Sequence, residues 1–173
     1  MKIFINPGHG GKDPGVVSKH GICESDVASI IGTMLLNRLK LNGYPVQLYQ
    51  QKDSYFEISK EENKSAATLF ISIHCNGVTD PKAHGIETLY CEGSEKGKKI
   101  AEIMQQELIN ATGLTDRGAK PRKDLHVLNR TNAPAILIET AFLSNPEEET
   151  LLTLQPGIFA NAIWEGIKRV KDM

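Results

Sequence analysis

Residues 68–74 read TLFISIH, a nearly continuous apolar run closed by His74. Strands buried on both faces have this character, and they belong to parallel sheets covered by helices. Two other stretches repeat the pattern. Ile3, Phe4 and Ile5 form a short apolar run bounded by Asn6, Pro7 and Gly8, with His9 just beyond in a loop beside Gly10 and Gly11. A strand followed by a forced turn is expected there. Residues 135–140, AILIET, are entered through Pro134 and carry Glu139 near their end. Each run closes on a side chain able to bind a metal or move a proton. In an open α/β sheet, strand C-terminal ends line the edge where ligands bind.

Helical segments separate these strands. Val27, Ile30, Ile31, Met34, Leu35 and Leu39 recur at helical spacing over residues 25–42, and Gly43 ends that helix. Counting back along the same face reaches Glu24. A carboxylate turned inward at a helix N-terminus needs a partner or a cation. Residues 45–49 read as a second strand and residues 56–67 as a charged helix. Residues 85–91 alternate as a strand, with an edge position open to them. Residues 95–111 form an amphipathic helix closed by Gly113. Residues 115–124 are basic and loop-like, and residues 125–128 read as a short strand. Asn145 caps a further helix, with Pro146 at its first position and Glu148 completing a capping-box pattern. Residues 157–170 are the last helix. The expected architecture is α/β: a single three-layer domain over residues 1–173, with a mainly parallel (mixed) central sheet of about six strands and helices on both faces.

The composition bounds the function. A chain of 173 residues, 40% hydrophobic and 24% charged, is an ordinary globular balance. A net charge of -1 gives no support for a nucleic-acid partner. No run is long enough to insert into a membrane. Cys23, Cys75 and Cys91 are widely spaced and form no CxxC, so neither a thiolate zinc site nor a disulfide framework is expected. Cys75 follows His74 directly. Strand neighbours point to opposite faces, so this Cys–His pair is poorly placed for catalysis, and a small buried residue is the expected reading. A phosphate-binding loop is also disfavoured. Asp13 follows Lys12 where a P-loop needs Ser or Thr, and the dinucleotide GxGxxG pattern is absent.

His9, His74, Glu139 and Glu24 therefore converge on one edge. Two imidazoles and one carboxylate are a recurring catalytic zinc set that leaves a position for water. The remaining carboxylate would take and return a proton. Such an apparatus cleaves an amide without a covalent intermediate. Position along the chain does not say which glutamate binds and which catalyses.

The same residues carry a family resemblance. NPGHGGKDPG at residues 6–15 resembles the DPGHGG opening of the zinc-dependent N-acetylmuramoyl-L-alanine amidases of the group called amidase 3, and SIHCN at residues 72–76 resembles that family's SIHxN. DRGAK at 116–120, HVL at 126–128 and IETAFLSN at 138–145 follow in the family's order, and the likeness covers nearly the whole chain. The resemblance implies that His9, Glu24 and His74 bind one zinc ion per chain and that Glu139 is the catalytic carboxylate. It implies peptidoglycan as substrate, cut between the lactyl group of N-acetylmuramic acid and the L-alanine of the stem peptide. Asn76, His126 and Arg117 are the expected substrate contacts, Arg117 with Lys120 and Arg122 facing stem-peptide carboxylates.

Three positions depart from the family pattern. Asn6 replaces an aspartate, Thr140–Ala141 stands where a glycine often precedes the phenylalanine, and residues 50–60 lack the usual arginine. The alternatives are an inactive zinc-containing wall-binding domain and a zinc peptidase cutting within the stem peptide. A monomer acting on the cell wall is expected. No signal segment is read before the first strand. That suggests either cytoplasmic synthesis with release, as for a phage or mother-cell lysin, or a domain excised from a secreted protein.

Overall fold

The computed structural model describes residues 1–52 and 54–171. In chain order the elements are β1 (Ile3–Pro7), α1 (Glu24–Leu41), β2 (Val46–Leu48), α2 (Phe56–Ser65), β3 (Leu69–Asn76), β4 (Ile86–Cys91), α3 (Glu95–Thr112), β5 (Asp116–Arg122), α4 (His126–Asn129), β6 (Ala135–Phe142), α5 (Pro146–Leu154) and α6 (Pro156–Lys171). The six strands form one sheet in the order β2-β1-β3-β6-β4-β5. The first four are mutually parallel; β4 runs antiparallel to β6, and β5 parallel to β4.

Both faces are covered, which is why the central strands are apolar throughout. On one face Ile31, Leu35, Met104 and Ile163 from α1, α3 and α6 pack on Ile5, Ile71, Ile73 and Ile138. On the other, Ile58, Val127 and Leu128 from α2 and α4 pack on Phe4, Phe70 and Leu137. Strand side chains alternate between faces. His74 thus shares the α2/α4 face with Phe70, and Glu139 shares it with Leu137. Among the described residues no helix is long and apolar enough to cross a membrane.

Three expectations about elements are corrected. Residues 85–91 are not at the edge: β4 lies between β6 and β5. The edge on that side is β5, the stretch DRGAKPR expected as a loop. An edge strand pairs on one side only, so it tolerates Pro121 and a charged composition that hides its character. Its register slips between Ile86 and Thr88, a bulge where Gly118 takes a φ of +86°. Residues 125–128 contribute to a helical turn rather than a strand. Four apolar-rich residues do not distinguish the two by periodicity. The helix is fixed by Asn129, whose side-chain amide donates to the carbonyls of Leu125 (2.9 Å) and Lys123 (2.7 Å).

Candidate metal centre

The loop after β1 holds His9 in a left-handed conformation, with φ +58°. The bend turns the imidazole back over the strand ends. Its Nδ1 lies 2.9 Å from Asp13 Oδ2. A carboxylate only accepts, so Nδ1 is the donor and Nε2 is directed inward. Nε2 lies 3.2 Å from Glu24 Oε2, and His74 Nδ1 lies 2.9 Å from Glu24 Oε1. The two rings meet edge to face, with centroids 5.0 Å apart. Ligand atoms of His9, Glu24 and His74 all fall within 4.8 Å of one another.

Glu24 is buried, with 2% of its surface exposed. The backbone holds it: Val16 N donates to Oε2 at 2.9 Å and Cys75 N to Oε1 at 3.0 Å. Two glycines make the approach possible. A Cβ on Gly8 would lie 2.4 Å from the His74 ring, and one on Gly15 would lie 2.6 Å from both Glu24 and His9. Burial pushes the Glu24 carboxyl up, but hydrogen bonds from His74 and His9 outweigh it and hold the group well below the usual carboxylate range. Burial likewise opposes charge on His9, yet Glu24 and Asp13 lift its pKa to about 9. Imidazoles aimed at one buried carboxylate carry positive charge between them as a proton or as a metal cation.

Glu139 sits opposite His74 on β6 and opposite Glu87 on β4. Its Oε2 is out of solvent and has no hydrogen-bond partner among the described residues. Burial raises its pKa to about 7; His74 lowers it, while Glu24 and Glu87 add to the rise. Glu87 is the contrast. It too is pushed up by burial, but hydrogen bonds from Lys120 and Arg117 bring it below its ordinary value. One carboxylate is thereby kept charged and its neighbour left able to gain or lose a proton near neutrality.

Residues 3–169 match the family model described as N-acetylmuramoyl-L-alanine amidase. The chain belongs to this family. It is 32% identical over 155 residues to the N-acetylmuramoyl-L-alanine amidase LytC of Bacillus subtilis strain 168, covering 87% of this chain but 31% of that protein. It is 31% identical to the germination-specific N-acetylmuramoyl-L-alanine amidase of the same organism, covering 96% of this chain and 78% of that one. The crystal structure of an N-acetylmuramoyl-L-alanine amidase from Clostridium difficile 630 superposes with a TM-score of 0.91 at 31% identity, covering 99% of this chain and 96% of that one. The chain therefore spans about a third of the length of the first relative and most of the other two.

The donor set of this member of the family fits a metal: two imidazoles, a buried carboxylate and, beside them, the orphaned Glu139 oxygen. Of the other expected site residues, Asn76 lines the hollow that also holds Glu139, Glu24 and His74. Its Nδ2 donates to Glu87 Oε1 at 3.3 Å. Arg117 reaches Glu87 Oε2 at 3.2 Å, with its guanidinium 4.9 Å from the centre of the Phe142 ring. Lys120 joins it on Glu87, whereas Arg122 pairs with Asp124. His126 lines a different cavity, of about 300 Å³, that also includes His9 and His74. Cys75 is buried, and burial drives its thiol far up, which removes it as a thiolate nucleophile.

Sequence reasoning missed Asp13 and Glu87. Asp13 stands four residues after His9 in the GKDPG turn, a placement from which a carboxylate can orient a ligating histidine; Gln51 bonds it from the far side at 2.9 Å. Glu87 had no local signal, because its importance comes from facing Glu139 across the sheet. Asn6 also gains a reason. Its amide donates to the carbonyls of Pro7 and Tyr49, each at 3.0 Å, and its Oδ1 accepts from Ser72 Oγ at 2.8 Å. An aspartate could not make the two donations.

Proposed function

We propose that residues 1–173 form the catalytic domain of a zinc-dependent N-acetylmuramoyl-L-alanine amidase that cuts peptidoglycan between N-acetylmuramic acid and L-alanine. The observation that carries the proposal is the pairing of a His9–Glu24–His74 cluster with Glu139, whose pKa is raised to about 7 by burial. His9 Nε2, His74 Nδ1 and a Glu24 oxygen would hold the metal. A zinc ion bound there would polarise the scissile carbonyl and lower the pKa of water. Asp13 orients the His9 ring by accepting from Nδ1. Glu139 accepts a proton as water adds to the lactyl carbonyl carbon. It then delivers that proton to the nitrogen as the C–N bond breaks, freeing a carboxyl group and the L-alanine amine. Asn76 and Glu87 flank the leaving peptide, and Arg117 and Lys120 offer charge to its carboxylates.

The test is to strip the metal with a chelator, confirm its loss by elemental analysis, and restore zinc. Activity on peptidoglycan is expected to vanish and return with one zinc per chain, and His74→Ala is expected to lose both metal and activity. Full activity in metal-free protein would refute the proposal.

A further inference from the structure

Two hollows meet at the metal-binding triad and share only His9, Asp13 and His74. One holds Glu139, Asn76 and Glu24 and continues toward Glu87, Arg117 and Lys120. The other has a different chemistry. Its floor is apolar, made by Ile58, Val127 and Leu137, and its wall carries Tyr55 and His126. Tyr55 stacks on Phe56 with centroids 4.3 Å apart, and both rings meet His126 edge to face at 5.5 and 4.8 Å. Ser59 Oγ pins the His126 ring through Nε2 at 2.9 Å. Tyr55, the aromatic residue that lines the hollow, is nonetheless half in solvent, 49% exposed. A braced, exposed aromatic wall opening directly onto a reactive centre is built to receive something flat.

The direction of the reaction says what. Glu139 returns its proton to the leaving nitrogen, so the stem peptide departs on the Glu139 side, where Glu87, Arg117 and Lys120 follow. The acyl side of the scissile bond, a lactyl group joined to a sugar, must then lie across the triad from Glu139. We propose that the Tyr55–His126 hollow, its Tyr55 ring backed by Phe56, seats a pyranose ring of the glycan strand, fixing the polarity of the substrate across the metal. A pyranose has an apolar C–H face suited to an aromatic ring and hydroxyls around its rim. Gln51, Asp13 and Asp124 border the hollow; Asp13 and Asp124 are engaged by His9 and Arg122, and the Gln51 side-chain oxygen is the group turned to that rim's hydroxyls in the proposal. The volume of about 300 Å³ is at the lower end of ligand pockets and suits one sugar.

This inference rests on the amidase reading, and its test separates the two. Wild type, Tyr55→Ala and Tyr55→Trp are titrated calorimetrically with glycan strands freed of stem peptides. Each is also assayed on a disaccharide peptide and on a sugar-free D-lactyl-L-alanyl peptide. Glycan affinity is expected to fall about tenfold in Tyr55→Ala and to recover in Tyr55→Trp. The ratio of kcat/KM for the sugar-bearing over the sugar-free substrate is expected to fall about tenfold as well. Tyr55 lies outside the core, and melting curves on each variant confirm folding. Cleavage by wild type with a glycan affinity and a ratio indifferent to Tyr55 would overturn the sugar site and leave the amidase reading intact. Tyr55-dependent glycan binding by a wild type that cleaves neither substrate would support the sugar site and overturn the amidase reading.

Discussion

Glu87 and Glu139 face each other in register on adjacent strands and carry opposite shifts. That difference is what favours Glu139 over Glu87 as the proposed base. Glu139 works as a base only when ionised, so kcat/KM rises with pH as the group titrates. A cation beside it favours the carboxylate, which places the acid limb at or below pH 7 in the metal-loaded protein. A pH–rate profile checks this, and Glu139→Gln is expected to lose the limb and about 100- to 10,000-fold in kcat while keeping its zinc. Asn6 makes a second prediction at this scale. Asn6→Asp removes both donations to main-chain carbonyls and sets a carboxylate against them, and it is expected to cost about 1–3 kcal/mol by chemical denaturation. His9, His74 and Glu139 were legible in the sequence because each ends an apolar run. Asp13 and Glu87 act through neighbours that only the folded loop and sheet provide.

At the scale of elements, the site depends on how β6 is joined to the helix after it. Asn145 caps α5 by accepting from the amides of Glu147 and Glu148. The expected capping box is half made, because the Glu148 side chain does not return to the cap. It turns inward and accepts from Phe142 N at 2.6 Å and Gly85 N at 2.7 Å, tying the end of β6 to the start of β4. Those strand segments carry Glu139 and Glu87. Glu148→Ala strands two backbone donors and is expected to cost about 2–4 kcal/mol, against under about 1 kcal/mol for exposed Glu147→Ala. Equal losses, read from denaturation midpoints, would remove Glu148 from this role. β1, β3, β6, α1 and α3 were readable because burial imposes a clear period or an unbroken apolar run. β5 and α4 were not: an edge strand needs no apolar pattern, and a four-residue helix is too short to have one.

Across the whole molecule, the sheet order lays the chemistry out in a line. The C-terminal ends of β1, β3 and β6 bring His9, His74 and Glu139 side by side, and the reversed β4 adds Glu87 at the same edge. Fold class and this edge were legible from the run of buried strands; the reversal of β4 was not, since a strand's direction leaves no mark in its composition. Charge is also tied to stability at this scale. Glu149 is pushed up by burial but lowered overall by Ser18 and His20, and Glu87 is lowered overall by Lys120 and Arg117. Carboxyls with depressed folded pKa values stabilise the fold fully above their unfolded value near 4.5 and lose that contribution as pH falls through the folded one. Melting temperature is therefore expected to drop as pH falls below about 5, less steeply in Glu149→Gln.

The most direct test of the central claim is the identity of the new ends made from purified peptidoglycan by zinc-loaded protein, read by mass spectrometry beside Glu139→Ala and a chelated sample. Free lactyl carboxyls on muramic acid and free L-alanine amino termini, absent from both controls, are the predicted result. Ends within the stem peptide, or no new ends from wild type with its zinc bound, would contradict it.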